Sequence, residues 1–189
     1  MLNWLLLLVM STLGLLVYLR LAPKLKLVDE PNHRSLHHAP TVVGAGAVPM
    51  LLLAWVFSLS SAVPHANVIA SLLLALVGIG LWDDWRGVSS SLRLICYVAA
   101  GLTVSALLHT GAEVPWWSIV ITGLAVAWCI NLVNFMDGVD GLVTVHALCT
   151  AVGLGLIAAF HLSAAVSRDL LILCGALVAC FAPLMWLNW

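Results

Sequence analysis

Two amides and two carboxylates fall within twelve residues, Asn131-Leu-Val-Asn134-Phe-Met-Asp137-Gly138-Val139-Asp140-Gly141-Leu142. This segment closes one long apolar run and opens the next. Polar groups at the mouth of a membrane helix are costly to keep there without a polar task. Carboxylate and amide oxygens suit a hydrated divalent cation, and closely spaced glycines let a backbone approach a nucleotide. Asn131 and Asn134 share a helix face at their spacing. Asp137 and Asp140 continue that spacing, but Gly138 and Gly141 are expected to interrupt the helix. Membrane proteins tolerate such a break where the backbone lines a polar cavity. The plainer alternative, a short capped turn between two spans, does not call for so repetitive an Asn/Asp/Gly pattern.

Two more segments could carry chemistry. Gly80-Leu-Trp82-Asp83-Asp84-Trp85-Arg86 sets adjacent carboxylates directly against an apolar run. A divalent cation or cationic neighbours would offset their repulsion, and either carboxylate could act as base or nucleophile. A bare Asp-Asp pair is common in loops, so its position carries the signal. Asp29-Glu-Pro-Asn32-His33-Arg34-Ser35-Leu-His37-His38-Ala-Pro40-Thr41, followed by Gly44-Ala-Gly46, is rich in turn formers. Arg34 offers a fork of donors to a phosphate. His37 and His38 could bind metal or move protons, though adjacent histidines rarely share one metal, and interfacial polarity explains at least one of them.

The elements that must position these residues are membrane spans. The chain has 189 residues, 63% hydrophobic and 8% charged, where soluble domains carry roughly a quarter charged residues. The expected fold is an all-α, polytopic transmembrane bundle in one domain over residues 1–189. Its spans fall near 2–22, 42–62, 66–82, 92–109, 115–134, 142–161 and 169–187, about seven of the usual ~20 residues. The runs are too long and too uniformly apolar for barrel strands. Lys24, Lys26, Arg34, Arg86 and Arg93 follow or flank the odd spans and Arg20 ends the first, leaving only Arg168 on the other side. The positive-inside bias then puts the N-terminus outside and the loops after spans 1, 3 and 5 in the cytoplasm. Asp83, Asp84, Asp137 and Asp140 fall on that same side, which charge bias alone does not require. The first span lacks a basic n-region and is too long for a signal peptide. Trp4, Trp82, Trp85, Trp116, Trp117, Trp186 and Trp189 mark span ends, as lipid anchors do. The five cysteines lie in apolar runs without ligand spacing and read as packing residues. A net charge of -1 without basic clusters argues against nucleic acid.

Taken together, Pro31-Asn32-x-Arg34-Ser35-x-His37-x-x-Pro40-Thr41, Gly80-x-x-Asp83-Asp84 and Asn131-x-x-Asn134-Phe-x-Asp137-Gly138-x-Asp140-Gly141-Leu142 resemble the polyprenyl-phosphate N-acetylhexosamine-1-phosphate transferases, of the type that initiates O-antigen and enterobacterial common antigen. The resemblance implies transfer of a sugar 1-phosphate from a UDP-sugar to undecaprenyl phosphate at the cytoplasmic face of a bacterial inner membrane, with release of UMP and use of Mg²⁺ or Mn²⁺. It implies a catalytic centre at Asp83 and Asp84, metal ligands at Asn134 and Asp83, and a uridine pocket at Asp137, Gly138, Asp140 and Gly141. Arg34, His37 and Asn131 would contact substrate. The expected partners are the UDP-sugar, the lipid phosphate and the membrane, with a homodimer left open.

Two departures stand against the pattern. Val43 occupies a position where the family often has arginine, and the chain stops at Leu187-Asn188-Trp189, where the family continues into a Met-Gly-Asp segment. The expectation is therefore a C-terminally truncated member. The alternatives are a non-catalytic protein of the same fold and, less well supported, a small transporter. A transporter should hold its ionisable groups near the midplane rather than at span ends.

Overall fold

In a computed structural model, the apolar runs become helices. The structure describes residues 3–29, 40–60, 63–136, 141–161 and 163–187. Among these the helices are α1 (Trp4–Leu21), α2 (Ala47–Ser58), α3 (Ala66–Arg86), α4 (Ser90–Leu108), α5 (Trp116–Met136), α6 (Leu142–His161) and α7 (Ala164–Leu187). Two short strands, β1 (Val28–Asp29) and β2 (Thr41–Val42), pair antiparallel between α1 and α2, with Val28 opposite Val42 and Asp29 opposite Thr41. The all-α expectation holds, with this small clip added.

Six helices are long and apolar enough to cross a membrane. The expected span at 42–62 is the exception. Its helix, α2, has only 12 residues, about 18 Å at 1.5 Å per residue, against a hydrocarbon core of ~30 Å. The reason is local. Thr41 and Val42 are committed to the strand pair, and Gly44 takes φ 76°, so the helix cannot begin earlier. At the other end the helix stops at Ser58, with Leu59 as its C-cap. Two other boundaries also shift. The helix of the third span runs on to Arg86, carrying Asp83 and Asp84 in its last turns, and α7 starts at Ala164, early enough to include Arg168.

Outer surfaces are apolar, with Phe135 80%, Phe160 77% and Trp128 68% exposed. Such surface is unfavourable in water and at home in lipid. Trp4, Trp82, Trp85, Trp116, Trp117 and Trp186 all lie in the end turns of helices, as expected. Inside, Leu7 and Leu15 of α1, Leu53 and Val56 of α2, and Phe181 and Leu184 of α7 form a common core. The Ser11 hydroxyl adds a 2.6 Å bond to the Cys180 carbonyl.

Helix directions follow from close approaches. Gly14 faces Val48 while Tyr18 faces Gly44, so α1 and α2 are antiparallel. Gly101 faces Gly123, and the Ser105 hydroxyl donates to the Ile119 carbonyl at 2.7 Å, so α4 and α5 are antiparallel too. Trp4 lies on Gly175 and Ser11 on Cys180, so α1 and α7 run parallel. The α4–α5 hairpin packs chiefly on itself, α3 on α2, and α6 on α7.

Small residues set these distances. A Cβ on Gly101 would stand 2.3 Å from the Gly123 carbonyl oxygen, whereas one on Gly78 would meet nothing within 4 Å. Gly101→Ala is therefore expected to lower the unfolding midpoint in detergent, at a cost of about 1–3 kcal/mol for overpacking. Gly78→Ala should hold or raise the midpoint, since alanine is the better helix former. Equal midpoints for the two variants would show that the α4–α5 contact is not as tight as the structure has it.

Candidate functional site

The site begins with how α3 ends. Gly87 takes φ 73°, a conformation that L side chains rarely adopt, and its N–H donates to the Asp83 carbonyl at 2.8 Å. This lets the chain leave α3 and enter α4 through residues 87–89 alone. Ser89 caps α4 by accepting from the Leu92 N–H at 3.3 Å. One turn on, Arg93 faces back toward α3. Its guanidinium donates to Asp83 Oδ2 in an ion pair, while the Val88 N–H donates to Asp83 Oδ1 at 2.7 Å. Both oxygens of Asp83 are thus engaged, with the side chain 19% exposed.

Asp84 faces elsewhere. One residue further along a helix of about 3.6 residues per turn, it leaves α3 in a different direction. That direction meets the turn between β2 and α2. A Cβ on Gly44 would lie 2.9 Å from Asp84 Oδ2, 2.5 Å from the Tyr18 hydroxyl and 3.0 Å from Leu81 Cδ2. The Tyr18 hydroxyl donates to the Val43 carbonyl at 2.7 Å. Adjacent carboxylates therefore have different surroundings: Asp83 is held by α4, and Asp84 is an exposed residue beside the backbone of the first loop.

Asn131 and Asn134 lie on the last turns of α5, Asn131 partly buried and Asn134 exposed. Helices α3 and α5 share no packed face. The link between them is α4. Continuing the antiparallel register of Gly101 with Gly123 and Ser105 with Ile119 brings Asn131 level with Arg93 and Asn134 level with Ser90. The C-terminal ends of α3 and α5 thus lie at the same end of the bundle, as does that of α1 through Tyr18. Of the two glycines expected to interrupt the helix, Gly141 takes φ 71° just before α6 starts at Leu142. Arg34, His37, Asp137, Gly138 and Asp140 lie outside the described residues.

A different surface opens on the other side of α3. Gly78, Leu81, Trp82, Trp85 and Arg86 line a shallow groove of about 450 Å³, with the Arg86 guanidinium 4.5 Å from the Trp85 ring centroid. Helical spacing turns this face away from Asp83, while Leu81 at its edge also borders Asp84 at Gly44.

The sequence model of glycosyl transferase family 4 matches residues 66–189. The chain belongs to glycosyl transferase family 4. The match starts at the first residue of α3 and so takes in the Asp pair, the α4–α5 hairpin and the Asn131–Leu142 segment. Among curated proteins, the undecaprenyl-phosphate alpha-N-acetylglucosaminyl 1-phosphate transferase of Escherichia coli (strain K12) is 28% identical over 191 residues, covering 94% of this chain and 51% of that protein. The protein of the same description from Yersinia pestis is 28% identical over 190 residues, covering 92% of this chain and 50% of its own length. A phospho-N-acetylmuramoyl-pentapeptide-transferase from Rhodopseudomonas palustris (strain BisA53) is 24% identical over 194 residues, covering 83% and 54%. The chain spans about half the length of the curated relatives it matches. No solved structure matches it.

Family 4 membership makes a divalent cation the group to test against these residues. The candidate donors are all oxygens, the right chemistry for Mg²⁺ or Mn²⁺. The described residues do not assemble a shell, however. No three His, Cys, Asp or Glu side chains come together among them, and Asp83, one expected ligand, already has both oxygens engaged. Asp84 and Asn134 are the exposed oxygen-bearing candidates at this end of the bundle.

Three participants escape a reading of the sequence. Arg93 looks there like a marker of topology, because nothing in the linear spacing says that the chain reverses at Gly87 and returns the arginine to Asp83. Tyr18 carries no motif signal, and Gly44 reads only as a turn former; only the fold brings α1, the loop and α3 to one point.

The ion pair is testable without turnover. Asp83→Asn and Arg93→Gln are each expected to lower the unfolding midpoint, and the double variant to cost less than their sum. The coupling should be about 1 kcal/mol, as for a partly exposed pair. Strict additivity would mean that the two side chains do not interact.

Proposed function

We propose that this protein is a phospho-N-acetylhexosamine transferase, moving sugar 1-phosphate from a UDP-sugar to undecaprenyl phosphate at the cytoplasmic face of a bacterial inner membrane. The observation that carries the reading is the Asp83-Asp84 pair at the end of a membrane-length helix, inside the segment matched by the family model. The curated relatives named for GlcNAc-1-phosphate transfer support GlcNAc as the sugar and envelope polysaccharide synthesis as the setting. Basic residues gathered at the end of the bundle that holds Asp84 support the cytoplasmic assignment.

The different surroundings of the two carboxylates suggest a division of labour. Asp83, held by Arg93 and the Val88 N–H, keeps the end of α3 and the start of α4 in register. Asp84 is the better candidate base, being exposed at the end of the helix where a lipid phosphate can arrive. In the proposed step, Asp84 takes a proton from the acceptor phosphate. The acceptor oxygen bonds to the β-phosphorus of the UDP-sugar, the bond from that phosphorus to the bridging oxygen breaks, and UMP leaves. Such a reaction depends mainly on alignment and charge neutralisation. Mg²⁺ or Mn²⁺, when bound, would supply neutralisation of the diphosphate. Arg34 and His37 in the first loop, Asn131 and Asn134 on α5, and Asp137, Gly138, Asp140 and Gly141 beyond it are the proposed substrate and uridine contacts.

An interfacial site fits the substrates. The donor is water-soluble and the acceptor is a lipid, and the end of a bundle is where both can reach one carboxylate without either crossing the wrong phase.

The test is transfer of labelled sugar phosphate from UDP-GlcNAc to undecaprenyl phosphate in membranes carrying the 189-residue chain. Transfer is expected to require Mg²⁺ or Mn²⁺, to stop with EDTA, and to fall by about 10²–10⁴ in Asp84→Asn, the range for losing a general base. A wild-type chain that releases no UMP and labels no lipid would leave the non-catalytic reading in its place.

A further inference from the structure

Tyr18 lies outside both the motifs that carry the family resemblance and the segment matched by the family model. It nevertheless reaches the same point as Asp84. A phenol near the end of an apolar helix needs a partner for its hydroxyl when that end is packed. Tyr18 is half-buried and donates to the Val43 carbonyl at 2.7 Å. That carbonyl belongs to the peptide joining Val43 to Gly44, so the bond orients the peptide plane at the one residue of the turn with positive φ, 76°.

Space at Gly44 is closed from two sides. A Cβ there would stand 2.5 Å from the Tyr18 hydroxyl and 2.9 Å from Asp84 Oδ2, both closer than real Cβ contacts come. The tyrosine and the carboxylate therefore press on the same stretch of backbone from α1 and from α3. A third tie comes from the loop itself. The Val43 N–H donates to the Leu27 carbonyl at 3.2 Å, extending the β1–β2 clip. That clip is the base of residues 30–39, the stretch containing Arg34 and His37.

We infer that Tyr18 is a positioning residue: by holding the Val43–Gly44 peptide against Asp84, it sets the base of the first loop relative to the carboxylate at the end of α3. Glycine suits position 44 on two counts: φ 76° strains any L side chain, and a Cβ would have to push aside the ends of the Tyr18 and Asp84 side chains. The mechanical link is independent of any reaction. Its consequence for substrate binding rests on the transferase reading above.

The experiment compares wild type, Tyr18→Phe, Gly44→Ala and the double variant of the full 189-residue chain in detergent. Hydrogen–deuterium exchange needs no turnover, so its outcome is separate from that of the transferase reading. Tyr18→Phe keeps the ring and removes only the bond to Val43. It is expected to speed exchange in residues 41–46 about fivefold or more, while α4 and α5 exchange as in wild type. Gly44→Ala should lower the unfolding midpoint by less when combined with Tyr18→Phe than alone, because one of its clashes is then gone. Backbone strain at φ 76° is common to both backgrounds and cancels. In the transfer assay, Tyr18→Phe should raise KM for UDP-GlcNAc several-fold with kcat within about twofold, whereas simple loss of folded protein would lower the apparent kcat alone. Unchanged exchange in residues 41–46, exchange faster by the same factor in every helix, or strict additivity of the two substitutions would each overturn the inference.

Discussion

Asp83 can stay in the last turns of an apolar helix because both of its oxygens are met. A carboxylate facing a membrane-bounded interior without partners is costly, and here Arg93 and the Val88 N–H supply them. Much of the local architecture follows from that requirement. The chain has to reverse within residues 87–89 for Arg93 to return, and Gly87 with φ 73° makes the reversal. Ser89 must cap α4 there for Arg93 to fall one turn inside it. Once α4 starts at that point, its antiparallel packing on α5 brings Asn131 to the level of Arg93. One ion pair thus relates the end of α3 to the end of α5, two helices that do not pack on each other.

Asp84 has different surroundings. It lies beside the backbone at Gly44, where a Cβ would crowd the carboxylate. Short distances of this kind recur through the bundle. Gly101 against Gly123 and Gly175 against the Trp4 indole bring helices within reach of each other's carbonyls or rings. Such contacts matter more in lipid than in water, since lipid tails are as apolar as the side chains and burial alone does not hold helices together. Hydroxyls of Ser11 and Ser105, each donating to a carbonyl of a neighbouring helix, add to the same end.

Legibility varied with the range of the forces involved. Six long apolar helices were readable because a span needs only length and composition. The second run has the hydropathy of a span, but its helix is shorter than the run, because Thr41 and Val42 pair with Asp29 and Val28 and Gly44 takes positive φ. The apolar run of α3 stops at Trp82 while the helix continues to Arg86, because carboxylates look like loop residues in a sequence although Asp83 and Asp84 belong to the helix. Of the two glycines expected to separate α5 from α6, Gly141 has the positive φ of a break, while Asp137, Gly138 and Asp140 lie outside the described residues.

The sequence by itself determined what kind of protein this is. Apolar runs of membrane length, carboxylates and amides at their ends, and three spaced motifs identify a membrane-embedded member of glycosyl transferase family 4. These are matters of residue type and local spacing, which a linear chain displays openly. Only the tertiary structure distinguished Asp83 from Asp84, revealed Arg93 as the partner of the first and brought Tyr18 and Gly44 to the second. Two adjacent residues of one type are equivalent in a sequence. They become different when a helix turns them to different neighbours, and those neighbours come from helices whose approach no local pattern encodes.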